Sequence, residues 1–192
     1  MAAMHGPAGA AAVGQAAAAG EAAAVPTRRV TVRTADDMHA LGRRLAAVLR
    51  AGDLVVLSGA LGAGKTTLVQ GIGQGLGVRG PVTSPTFVIA RVHPALGRGP
   101  GLVHADAYRL SSVAEVDDLD LDAALDDCVT VIEWGEGLVE GLAADRLEVG
   151  IEMSPAGAGT DSRTVGMTGI GPRWQTAAES GCCGLPVTPE AI

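Results

Sequence analysis

The chain has 192 residues, 47% of them apolar and 2% aromatic, with a formal net charge of −7. That length supports one compact core with tails rather than two domains, and the acidity, spread along the chain, argues against a broad basic face for gripping nucleic acid. No run of about 18 or more strongly apolar residues occurs and no basic segment precedes the Ala/Gly-rich start, so the expectation is a cytoplasmic protein without a membrane span or secretory signal.

Residues 1–27 read as a disordered extension. Within residues 1–25 there are thirteen Ala and four Gly, and Glu21 is the one charged residue, which leaves little to bury against the cost of ordering. A domain is expected over 28–170, followed by a helical or irregular tail over 171–192. Val30 and Val32 alternate with Arg29, Thr31 and Arg33 as in a half-buried strand. Thr34 then caps a helix whose apolar stripe is Met38, Leu41, Leu45 and Val48, with Gly52 as its predicted end. Leu54 to Leu57 is a continuous apolar run, the pattern of a parallel strand covered on both faces. A Gly-rich turn follows it, and then a helix carrying Leu68, Ile72 and Leu76 that stops at Gly77.

Further strands are predicted over Thr86–Ala90, Leu102–Ala105 and Val129–Ile132, with an acidic stretch from Glu115 to Asp127 that is expected to be helical in pieces. Leu147, Val149, Ile151 and Met153 alternate with more polar residues, and Ser162–Thr168 is placed as a hairpin partner across the loop Pro155–Thr160. Cys128, Cys182 and Cys183 show no metal-ligand spacing and are read as reduced thiols.

The strongest signal is Gly59-Ala60-Leu61-Gly62-Ala63-Gly64-Lys65-Thr66, lying between an apolar strand and a helix. In such a loop, glycine lets successive backbone N–H groups turn inward around phosphate, and the following helix adds its N-terminal dipole. Lys65 is placed over the β- and γ-phosphates, Thr66 offers its hydroxyl to Mg²⁺, and Thr67 is placed at the α-phosphate. In a chain of this composition, chance supplies roughly two such matches in a thousand. Thirteen of the fourteen basic residues are Arg, and Lys65 is the only lysine. A compact ammonium rather than a planar fork is what a phosphate cradle uses. The absence of a second lysine also removes the [NT]-K-x-D guanine-reading motif, so ATP is the expected nucleotide.

Four ordered blocks then make the chain resemble the TsaE family, the bacterial ATPase subunit of the tRNA threonylcarbamoyladenosine machinery. They are Leu57 to Thr67, Thr83-Ser84-Pro85-Thr86-Phe87, His104-Ala105-Asp106-Ala107-Tyr108-Arg109-Leu110 and Ile132-Glu133-Trp134. With the elements above, the resemblance implies a three-layer α/β fold of P-loop NTPase type, its central sheet mostly parallel with antiparallel edge strands. It implies a Mg²⁺-dependent ATPase, weak alone, whose hydrolysis acts as a switch. Its partners would be the threonylcarbamoyl-transferase subunit and that subunit's paralogous partner, through which tRNA is contacted indirectly.

The resemblance also implies residue roles. Gly59, Leu61, Gly62, Ala63, Gly64, Lys65, Thr66, Thr67 and Trp134 would hold the nucleotide, Thr66 and Asp106 the metal, and Lys65, Asp106 and Glu133 the chemistry. Ser84, Thr86, Tyr108 and Arg109 would serve as switch or partner residues. Taken without the family, Ser84-Pro85-Thr86 reads rather as an ordinary turn, while Asp106 could equally be a capping or turn residue, Glu133 equally a solvated strand end, Tyr108 equally core, and Arg109 a surface ion pair with the nearby acidic stretch. Ala60, Met38 and Gly135 depart from the residues common in the family, Asp, Thr and Pro respectively. Two other functions are compatible with a phosphate loop. One is a small-molecule kinase, which usually adds an Arg-rich lid that is not evident here; the other is a nucleotide-dependent scaffold with negligible turnover.

Overall fold

The computed structural model describes residues 27–85, 89–108, 126–135, 137, 143, 145–154 and 162–179, the side chains of 176–179 excepted. Most of the expected N-terminal extension lies outside these residues, as do Thr86, Phe87 and Val88, Arg109, the acidic stretch up to residue 125, the loop 155–161 and the tail from Ser180.

In chain order the elements are β1 (Arg28–Val32), α1 (Ala35–Ala46), β2 (Leu54–Gly59), α2 (Lys65–Leu76), β3 (Ala90–His93), β4 (Gly101–Asp106), β5 (Cys128–Glu133), β6 (Arg146–Met153), β7 (Arg163–Ile170) and α3 (Pro172–Glu179). The strands form one sheet in the order β1-β7-β6-β2-β5-β4-β3. β6, β2, β5 and β4 run parallel at its centre, while β7, β1 and β3 add antiparallel edges. This is the expected α/β class, with its parallel centre and antiparallel margins.

One face of the sheet, bearing Val55, Leu57, Leu102, Val131, Leu147 and Val149, packs against Leu41 and Leu45 of α1, Leu68 and Ile72 of α2, and Trp174 of α3. The other face buries Leu54, Val56, Val103 and Ile132. Helices α1 and α2 meet through glycine: a Cβ on Gly42 would strike the carbonyl of Leu68, and one on Gly71 the carbonyl of His39. Without those two glycines the helices could not approach so closely, and α2 carries the phosphate loop at its N-terminus.

One boundary and one residue differ from the sequence reading. α1 ends at Ala46, not near Gly52. The Ala47 N–H turns back to the Arg44 carbonyl and the Val48 N–H to that of Leu45, Leu49 enters the core, and Gly52 (φ +86°) instead turns the chain into β2. β3 runs from Ala90 to His93, and Thr86, Phe87 and Val88 of the strand predicted over Thr86–Ala90 lie outside the described residues. Ile89, just before β3, is not extended but left-handed (φ +69°). Its N–H bonds back to the Pro85 carbonyl at 2.7 Å, and its own carbonyl accepts the Asp106 N–H at 2.8 Å.

The parallel strands finish together. In register, Leu57 of β2 and Asp106 of β4 both pair with Glu133 of β5. β2 lies where the strand order changes direction, and the crevice beyond the carboxyl ends of such strands is where α/β sheets bind ligands.

Candidate functional site

The phosphate loop begins at the end of β2. Gly59 has φ +141°, and a Cβ there would lie 2.6 Å from the Ile151 carbonyl of β6, so both conformation and space exclude a side chain. Gly64 caps α2 in the left-handed region (φ +109°) and gives it no side-chain hydrogen bond. The Ala63 N–H is tied to the Ala60 carbonyl at 3.1 Å. The N–H groups of Gly62, Gly64, Lys65 and Thr66 meet no acceptor among the described residues, and they sit at the positive end of α2.

Lys65 is 5% exposed. Its Nζ donates to the carbonyls of Gly59 (2.8 Å) and Ala60 (3.1 Å) and lies 3.7 Å from the centre of the Trp134 ring. Burial holds this amine below the usual lysine value, with Glu133 and Asp106 acting in the opposite direction. Trp134 follows β5 with φ +62°, a conformation costing a bulky residue about 1–3 kcal/mol. Its N–H bonds to the Leu57 carbonyl at 2.9 Å, which fixes the bend that brings the indole over Lys65. Tyr108 tilts against the same indole, ring centres 5.3 Å apart, and is 65% exposed, so the core reading of Tyr108 is corrected.

Glu133 and Asp106 are 3% and 4% exposed, which excludes a solvated strand end for Glu133. Glu133 Oε1 accepts from Thr66 Oγ1 at 2.9 Å. Asp106 Oδ1 accepts the Tyr108 N–H at 3.0 Å, so this carboxylate does make the turn its type suggests while also facing the cleft. A cleft of about 230 Å³ is lined by Leu61, Gly62, Gly64, Lys65, Thr66, Thr67, Ser84, Asp106, Glu133 and Trp134. Thus the expected residues Gly59 to Thr67, Ser84, Asp106, Glu133 and Trp134 converge, Tyr108 stands at the margin, and Thr86 and Arg109 lie outside the described residues.

Two features escaped the sequence. One is a recess of about 120 Å³ lined by Thr34, Ala35, Met38, Gly62, Ala63, Gly64, Thr67 and Arg163, which continues the cleft past Thr67. The other is His104, fully buried, with Nε2 2.9 Å from Glu133 Oε1. A polar residue two positions before Asp106 on one strand face was the signal that could have found it. Among the described residues there is no cluster of three or more His, Cys, Asp or Glu suited to a metal. A cation at Thr66 and Asp106 would therefore complete its shell with phosphate oxygens, as Mg²⁺ at nucleotide sites does, and the donor set fits it on those terms.

A family profile described as "Threonylcarbamoyl adenosine biosynthesis protein TsaE" matches residues 32–163. The chain belongs to the TsaE family. Relatives called "tRNA threonylcarbamoyladenosine biosynthesis protein TsaE" include one from Streptomyces coelicolor, 64% identical over 141 residues, covering 73% of this chain and 95% of the relative. Another, from Bacillus subtilis, is 36% identical over 145 residues, covering 75% and 87%. The crystal structure of Bacillus subtilis YdiB superimposes with a TM-score of 0.63 at 28% identity over 80% of this chain and 93% of that one. The TsaE match runs from β1 into β7 and takes in every residue of the cleft, whereas α3 lies beyond it.

Proposed function

We propose that this TsaE protein binds Mg²⁺-ATP and is required for threonylcarbamoyladenosine modification of tRNA, hydrolysing ATP as a switch for the modification complex. One observation supports this above the others: unpaired loop amides, the sole lysine and two buried carboxylates meet at the carboxyl ends of three adjacent strands. The triphosphate would replace the carbonyls of Gly59 and Ala60 as the partner of Lys65, while the amides of Gly62 to Thr66 cradle it. The 120 Å³ recess beside Thr67 is the place for the nucleoside. Its floor is the apolar Met38, so adenine would be held there by packing rather than by a polar contact from that position.

Hydrolysis is then in-line attack of water on the γ-phosphoryl, promoted by positioning and charge. A bound Mg²⁺ would neutralise phosphate charge, and Thr66 and Asp106 are the residues that would hold it. Glu133 orients and polarises the water. Trp134 and Tyr108 form the aromatic rim through which a partner would sense the cleft.

The net charge of −7 favours tRNA contact through partners, namely the threonylcarbamoyl-transferase subunit and its paralogue, in the cytoplasm. No helix among the described residues is long and apolar enough to cross a membrane. Depleting the protein in its native cell and measuring threonylcarbamoyladenosine in total tRNA tests the assignment. The modification should fall with the protein, and an unchanged level rejects the pathway.

A further inference from the structure

His104 occupies the middle of β4. Leu102, His104 and Asp106 alternate onto the face of β4 that Val131 and Glu133 share on β5, and both Leu102 and Val131 belong to the apolar core. An aliphatic side chain would suit that row; an imidazole there needs a reason, because burying a polar group without partners is costly. Among the described residues His104 has one partner. Its Nε2 lies 2.9 Å from Glu133 Oε1, while Nδ1 is buried with none. Against a carboxylate oxygen, Nε2 is the nitrogen that bears the hydrogen, so the ring spends this bond on holding Glu133.

Thr66 Oγ1 donates to the same oxygen, also at 2.9 Å. Two donors from different elements, β4 and α2, therefore converge on Oε1, and no donor among the described residues reaches Oε2. The terminal torsion of a glutamate is broad and roughly two-fold, so an untethered carboxylate would present either oxygen in many orientations. Pinning Oε1 from behind removes that freedom. The Thr66 hydroxyl belongs to the phosphate loop and has a second use there once nucleotide is bound, whereas His104 is walled into the sheet and has no other partner among the described residues.

We infer that His104 is a positioning residue, which fixes the Glu133 carboxylate by Oε1 so that Oε2 is the oxygen offered to the cleft. This rests on the reading of Glu133 as the group that orients the attacking water. His104 is not among the residues that line the cleft, so its loss should lower kcat and leave ATP binding alone.

The test is single-turnover and steady-state hydrolysis of Mg²⁺-ATP by the full chain with its partner subunits, together with ATP affinity and melting temperature for each variant. His104→Leu should lower kcat by about 10- to 100-fold with KM and ATP affinity unchanged, the range seen when a supporting partner of a functional group is removed. His104→Gln places an amide N–H close to the position of Nε2 and should restore most of the rate. His104→Asn, equally polar but shorter, should not. Equal kcat in His104→Leu and the parent would overturn the inference, as would an equal loss in the Gln and Asn variants, or a loss confined to KM. Absence of turnover in the unsubstituted protein is a separate result: it would remove the ATPase reading, and this inference with it.

Discussion

Lys65 sits on two carbonyl oxygens and beneath an indole, with almost no exposed surface. Such a site keeps the ammonium partly desolvated until a stronger anionic partner arrives. Lys65→Ala removes charge-assisted bonds worth about 1.5–3 kcal/mol to phosphate, so ATP affinity measured by titration calorimetry should weaken at least about tenfold. Equal affinity would contradict the site. A second expectation concerns pH. Burial lowers the Lys65 value below the ordinary 10.5, so between the two values the unfolded chain holds the proton more tightly than the folded chain. Stability against urea should therefore rise with pH through that interval and level off above 10.5. Lys65→Met should flatten the rise, and a slope identical to the parent's would count against the buried ammonium. The position of Lys65 was legible in the sequence because the chain contains no other lysine and the glycine spacing is specific. Its aromatic cover was not, since Trp134 reaches it only through a left-handed backbone that residue type alone gives no reason to expect.

At the level of elements, sequence patterns worked where local chemistry decided the outcome. Thr34 caps α1 as expected: its hydroxyl accepts the Asp37 N–H at 3.0 Å, and the Asp37 carboxylate accepts the Thr34 N–H at 3.0 Å. Thr34→Ala should cost about 1 kcal/mol, about 2–4 °C in Tm for a chain of this size, measured by calorimetry. No change in Tm would mean that tertiary packing holds α1 without its cap. Patterns failed where distant residues decided. The end of α1 is set by Leu49 entering the core, and the left-handed Ile89 just before β3 is held by the bond from Asp106, seventeen residues on. The glycines of α1 and α2 read locally as helix weakeners, yet Gly42 and Gly71 allow the two backbones to touch. α3 shows a further long-range device. Arg173 forks onto both oxygens of Asp53 at 3.1 and 3.0 Å and donates to the Val48 carbonyl at 2.8 Å, tying the last helix to the entry of β2.

For the whole molecule, strand order was the least legible property. The alternation of apolar runs and helical stripes gave the elements, but nothing local states that β6 lies beside β2 or that β7 returns to pair with β1. The motif and the family resemblance supplied the class, and the sheet order shows why the cleft forms: β2, β5 and β4 stop in register with α2 leaving between them. A ligand held there bridges elements far apart in sequence and cannot bind the unfolded chain in the same way. It should therefore stabilise the fold by mass action, by about 2.7 kcal/mol at a hundredfold excess over Kd, or about 5–10 °C in Tm. Thermal melts should show that shift with Mg²⁺-ATP, a smaller one when the cation is chelated, and one of at most about half the size in Lys65→Ala at the same ATP concentration. Inorganic triphosphate separates the two compartments of the site, because it fills the phosphate cradle and leaves the recess between Thr34, Met38 and Arg163 empty. At equal concentration it should therefore raise Tm less than ATP does. If triphosphate and ATP gave equal shifts, the nucleoside would not occupy that recess, and the α1 face of the cleft would have no part in recognition.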